Sequence, residues 1–127
     1  MYYFTNDYSE GAHPLIMQKL LETNMEQTDV YGSDQYCSNA KALIKTACGR
    51  EDADVHLFIG GTQTNSTIIS AALRPFQGVY SSFLGHINTH EAGAIEHTGH
   101  KVLELPTADG KLTAQQVEEN YLVYLND

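Results

Sequence analysis

The stretch Asp54-Val55-His56-Leu57-Phe58-Ile59-Gly60-Gly61-Thr62-Gln63-Thr64-Asn65 decides the fold. An apolar run with a charged start breaks at two glycines and gives way to short polar residues. Behind it, Ser66-Thr67-Ile68-Ile69-Ser70-Ala71-Ala72-Leu73 carries apolar groups at helical spacing. The pattern predicts a strand over 55–59, a tight glycine turn, and a helix with Gly61 and Thr62 at its N-terminus. Such a turn exposes the backbone N–H groups of residues 61–63 at the positive end of a helix dipole, a good place to hold a phosphate. The same residues also suit an ordinary strand-to-helix turn, where glycine supplies only backbone freedom.

Outward from this segment, the chain alternates. His13-Pro14 opens a helix, because proline suits the first helical turn, and Ile16, Met17, Leu20 and Leu21 form its apolar stripe. A loop over 24–35 ends in Tyr-Gly-Ser-Asp. A second helix follows from about Tyr36 to Ala47, with Ala40, Leu43, Ile44 and Ala47 on one face and Gly49 closing it. The helix after the glycine turn ends near Arg74-Pro75. Val79–Phe83 and Val102–Leu105 read as two more strands, with a short helix between them. Thr113-Ala114-Gln115-Gln116 reads as a capping box that opens a last helix. Strands alternating with helices predict an α/β fold with a mostly parallel sheet. Residues 1–53 form an N-terminal helical segment, and 54–127 begin an α/β domain. Three strands make a thin sheet, so the chain reads as cut off part-way through a larger domain.

Composition narrows the function. The 127 residues suffice for one small domain with one core. A net charge of −9 argues against nucleic acid, which needs clustered Lys and Arg, and against an anionic membrane surface. It leaves a phosphorylated small molecule open, since local N–H groups bind anions on acidic proteins too. Met1-Tyr2-Tyr3-Phe4 is too short and lacks the basic residues of a signal peptide, and no apolar run approaches a membrane span. Cys37 and Cys48 fall in one helix, a poor disulfide geometry, so they read as buried free thiols. Cytoplasm is the expected compartment.

Other short motifs surround the glycine turn. Asn6-Asp7-Tyr8-Ser9-Glu10-Gly11 and Tyr31-Gly32-Ser33-Asp34 precede it; Gly85-His86-Ile87 and Glu91-Ala92-Gly93-Ala94 follow. In order and spacing, the set resembles the N-terminal part of the threonine aldolase/β-eliminating lyase family, from about Phe4 to at least Thr113. Those are pyridoxal 5'-phosphate (PLP) enzymes of the aspartate-aminotransferase-like fold, also called fold type I. The resemblance implies a seven-stranded sheet and a smaller C-terminal domain, both continuing beyond this chain, and a homodimer or homotetramer. It implies that Gly61, Thr62 and Gln63 hold the cofactor phosphate and that His86 stacks on the pyridine ring. Glu91 would hydrogen-bond a ring substituent or support the site from behind. Asn6 and Asp7 would fall near the substrate carboxylate. Two positions depart from the family pattern. Thr5-Asn6-Asp7 stands where Arg-Ser-Asp is common, and Gly60 stands where a serine is common.

The residues can also be read without the family. His86 follows a strand and Gly85, so it belongs at a strand's C-terminal end, where open α/β sheets bind ligands. Its ring can stack, and its nitrogen can exchange a proton near neutral pH. A surface loop histidine is the alternative. Glu91 also suits a helix N-terminus, where the dipole favours an acid. His86 and His90 lie one helical turn apart, but H-E-x-x-H is absent and no cysteine is near, so no metal is expected. His97 and His100 flank Thr98-Gly99 as a polar turn. PLP chemistry needs a Schiff-base lysine. None of Lys19, Lys41, Lys45, Lys101 and Lys111 matches the family position for it. The expected activity is PLP-dependent cleavage of a β-hydroxy-α-amino acid, threonine or allo-threonine to glycine and acetaldehyde. This chain would supply only the phosphate and stacking side of the site, for a small amino-acid substrate. The alternatives are another PLP reaction on the same fold, β-elimination or transamination, and a non-catalytic fragment or binding module.

Overall fold

Local signals set several helix ends in the structure, a computed structural model that describes residues 4–6 and 10–126. The chain divides into two units, Met1–Leu57 and Phe58–Asp127. In the first, α1 (Pro14–Thr23) starts with proline in its first turn, and His13 Nδ1 accepts from the Leu15 N–H at 3.2 Å. The Tyr-Gly turn puts Tyr31 (φ 59°) and Gly32 (φ 74°) in the left-handed region and leads into α2 (Gln35–Cys48). Asp34 caps α2: its Oδ1 accepts from the Cys37 N–H at 2.8 Å. Gly49, at φ 62°, closes the helix by donating to the carbonyls of Lys45 and Thr46. A left-handed end of this kind favours glycine. Cys37 and Cys48 are free, as expected, but not buried. Cys37 is half-buried and Cys48 exposed. The apolar stripes of both helices are largely exposed, and no hydrophobic side chain among this unit's described residues is buried.

The second unit carries α3 (Gly61–Ala72), β1 (Val79–Ser82), α4 (His86–Thr89), α5 (Ala94–His97), β2 (Val102–Leu105) and α6 (Ala114–Asn126). The strands β1 and β2 pair in parallel, Val79 opposite Val102 through Ser82 opposite Leu105. The approach at their start is close: a Cβ on Gly78 would lie 2.7 Å from the Lys101 carbonyl oxygen. His100 is buried there, and its Nδ1 sits 3.0 Å from the Gln77 carbonyl, which can only accept. This corrects the expectation of a polar turn for His100, while His97 ends α5. Ile95 on α5, packed towards α3, joins Val102 and Leu105 as the buried hydrophobic residues among those described. The capping box is formed as expected. Thr113 Oγ1 accepts from the Gln116 N–H at 3.2 Å, and Gln116 Oε1 accepts from the Thr113 N–H at 2.9 Å.

The strand expected over 55–59 is not formed. Residues 53–58 have no regular secondary structure, and Ile59 is 98% exposed. A parallel strand exists through hydrogen bonds to neighbours and cover on both faces. No strand among the described residues pairs with this run. No helix among them is long and apolar enough to cross a membrane.

Candidate active site

At the start of α3, Gly60 is extended (φ −166°) and offers no side chain to cap the helix. The first helical bond runs from the Thr64 N–H to the Gly60 carbonyl, 3.1 Å. The N–H groups of Gly61, Thr62 and Gln63 lie ahead of it and meet no acceptor among the described residues. A Cβ built on Gly60 or Gly61 would meet nothing within 4 Å. The Gln63 side chain turns back, its Oε1 accepting from the Ile59 N–H at 3.1 Å, so only its backbone N–H faces outward. Three N–H groups without an acceptor among the described residues thus lie at the positive end of a twelve-residue helix, where the dipole favours negative charge.

His86 is the first residue of α4, just past the C-terminal end of β1. Gly85 is required there, because a Cβ would overlap the Ser81 hydroxyl and lie 3.0 Å from the Ser82 carbonyl. The His86 side chain is 68% exposed. Its ring stacks on that of His90, with centroids 5.4 Å apart and planes 10° from parallel. Helical spacing thus joins the two histidines by ring contact. Asn88 ties α4 down, donating to the Phe83 carbonyl at 3.2 Å and to Glu104 Oε2 on β2 at 2.7 Å.

Glu91 is neither a surface acid nor part of a helix's first turn. It lies between α4 and α5, where Ala92 (φ 50°) and Gly93 (φ 78°) make successive left-handed residues. The reversal turns its side chain inward until none of it is exposed. Its Oε1 accepts from Asn65 Nδ2 at 2.7 Å and lies 3.6 Å from His86 Nε2. The second distance is a close approach rather than a hydrogen bond. Its Oε2 is buried with no partner among the described residues. A buried carboxylate oxygen of this kind costs free energy unless it meets a donor or takes a proton.

The second unit therefore joins the 61–63 turn, Glu91 and His86 through Asn65. Asn6 is exposed and belongs to the first unit, and Asp7 lies outside the described residues. Three residues of this arrangement were not read from the sequence: Asn65, Asn88 and Glu104. Asn65 carried one faint signal. It is a poor helix former placed four residues after Gly61, on the same helical face. Among the described residues, no three of His, Cys, Asp and Glu come together to hold a metal.

Known proteins share this arrangement of sequence and backbone. A family profile described as "Beta-eliminating lyase" matches residues 7–123. The low specificity L-threonine aldolase of Pseudomonas aeruginosa is 29% identical over 118 residues, which cover 91% of this chain and 34% of that protein. The enzyme of the same name from Pseudomonas sp. (strain NCIMB 10558) is 29% identical over 122 residues, with the same coverage. The chain thus spans about a third of the length of these curated relatives. A solved structure of Leishmania major threonine aldolase superposes with a TM-score of 0.89 at 50% identity, over 94% of this chain and 35% of the other. The fold is therefore the α/β, mostly parallel architecture of that enzyme, of which these residues form one part. On a family match that runs through nearly all of its residues, this chain belongs to the β-eliminating lyase family.

Proposed function

We propose that this chain supplies the phosphate-binding and ring-stacking side of a PLP-dependent lyase. The reaction is cleavage of the Cα–Cβ bond of β-hydroxy-α-amino acids, L-threonine or allo-threonine, to glycine and acetaldehyde. The observation that carries the reading is the uncapped turn at 61–63 linked to His86 through Asn65 and Glu91. The residues suit the cofactor. Gly60 and Gly61 leave open space for a phosphate, three N–H groups have no acceptor among the described residues, and the Thr62 hydroxyl can add a further donor. Bound there, PLP supplies an electron sink for the bond cleavage.

The chain's own residues then have separate tasks. The N–H groups of Gly61, Thr62 and Gln63 hold the phosphate. His86 lays its ring on the pyridine ring, and its Nε2 takes the proton of the substrate hydroxyl. Glu91 Oε1, 3.6 Å away, balances the positive charge that this proton brings. By the family resemblance, Asn6 and Asp7 would bind the substrate carboxylate. By the same resemblance, the enzyme works in the cytoplasm as a homodimer or homotetramer. The test offers L-threonine and L-allo-threonine to the PLP-loaded full-length enzyme of which these residues form one part. Glycine and acetaldehyde in equal amounts are expected. Ammonia and 2-oxobutanoate would assign β-elimination instead, the reaction for which the family is named. Neither product pair would overturn both readings.

A further inference from the structure

Glu91 is a fully enclosed carboxylate, and among the described residues one side chain, that of Asn65, hydrogen-bonds it. Asn65 sits on α3, 26 residues away in sequence, and reaches it with a 2.7 Å bond. The other neighbour, His86, is too far at 3.6 Å to fix it by hydrogen bonding. His86 itself stands on a helix of four residues whose N-cap, Gly85, has no side chain. The Asn88 contacts hold the far end of that helix. Among the described residues the ring of His86 has two recorded neighbours, His90 by stacking and Glu91 by its 3.6 Å approach.

We infer that Asn65 is a positioning residue: it fixes Glu91, and through Glu91 the ring of His86, without itself touching a ligand. This rests on the reading above, in which His86 stacks on PLP. The chain Asn65–Glu91–His86 makes the stacking histidine and the anion turn parts of one support, because Asn65 lies one helical turn beyond Gly61. Removing the Asn65 amide leaves a buried carboxylate with no hydrogen-bond donor among the described residues. Without that donor the carboxylate is no longer held, and its movement releases the His86 ring.

The experiment compares the native protein with Asn65→Leu, which keeps the side chain's size and removes its donor. Three quantities are read: affinity for PLP, affinity for inorganic phosphate, and the visible circular-dichroism band of bound PLP, which reports how the ring is seated. Asn65→Leu is expected to weaken PLP binding about tenfold and alter the band, with phosphate affinity held within about twofold. Combined with His86→Ala, it should add less than about twofold to the loss from His86→Ala alone. Should Asn65→Leu not fold, the same substitution is made on a Glu91→Gln background, where no buried charge needs the donor. There it should cost less than about threefold in PLP affinity. A tenfold loss on that background overturns the inference. So do equal losses of PLP and phosphate, or native PLP affinity with an unchanged band. Those outcomes leave the cofactor reading standing. A native protein that binds neither PLP nor phosphate overturns the cofactor reading and this inference together.

Discussion

Thr62 concentrates what a single residue can decide here. It is the second residue of α3, and its N–H is one of three donors without an acceptor among the described residues. Proline is tolerated in the first turn of a helix, where the missing N–H had no helical partner. Thr62→Pro should therefore keep α3 and remove one donor and one hydroxyl from the turn. The expected result is an affinity for PLP and for inorganic phosphate reduced about tenfold, with the melting temperature little changed. Unchanged affinity would exclude this turn as the phosphate site. Gln63 shows the limit of reading side chains from a motif. Its amide serves the Ile59 N–H, so its contribution at the turn comes from the backbone.

The elements follow from signals only a few residues long, and α2 shows how such a signal responds to acid. The Asp34 carboxyl lies below its ordinary pKa chiefly because the Cys37 backbone N–H bonds to it. A group whose folded pKa is lowered contributes stability that is fully present above its unfolded value, about 3.9. That stability is lost as pH falls through the lower folded value. The amide protons at the start of α2 should then lose exchange protection as the pH drops below about 4. Asp34→Asn keeps an oxygen acceptor at the cap and removes the titration. Its α2 amides should show no such acid-dependent loss, after correction for intrinsic exchange. An Asp34→Asn protein with the native pH profile would assign the acid response to another group. The neighbouring Cys37 thiol is pushed up first by its hydrogen bond with Asp34.

At the scale of the whole molecule, apolar surface outweighs core. Among the described residues only Ile95, Val102 and Leu105 are buried hydrophobics, while Leu15, Leu21, Leu43, Ile59 and Phe76 are exposed. A two-stranded parallel pair needs cover on both faces. Residues 1–127 produced alone should therefore self-associate, seen as concentration-dependent mass in sedimentation. They should also form no glycine from threonine, since none of the five lysines matches the family's Schiff-base position. Borohydride reduction with PLP and peptide mapping checks the second half. Stoichiometric labelling of one lysine, with glycine produced, would place the catalytic lysine within this chain.

The boundary between what the sequence determined and what the tertiary structure decided follows the reach of each interaction. Pro14 at a helix start, Gly49 at a helix end, the Thr113–Gln116 box and the bounds Val102–Leu105 were all legible, because each depends on residues within a few positions. So was the helix beginning at Gly61, and with it the candidate anion turn. The run 55–59 has strand composition, but a strand also needs a partner, and pairing is a property of distant residues. The inward turn of Glu91 depends on two left-handed residues, and its bond to Asn65 spans 26 positions. The burial of His100 depends on the Gln77 carbonyl, 23 positions away. Periodicity and capping cannot carry such contacts, because they become possible only when packing brings separate elements together.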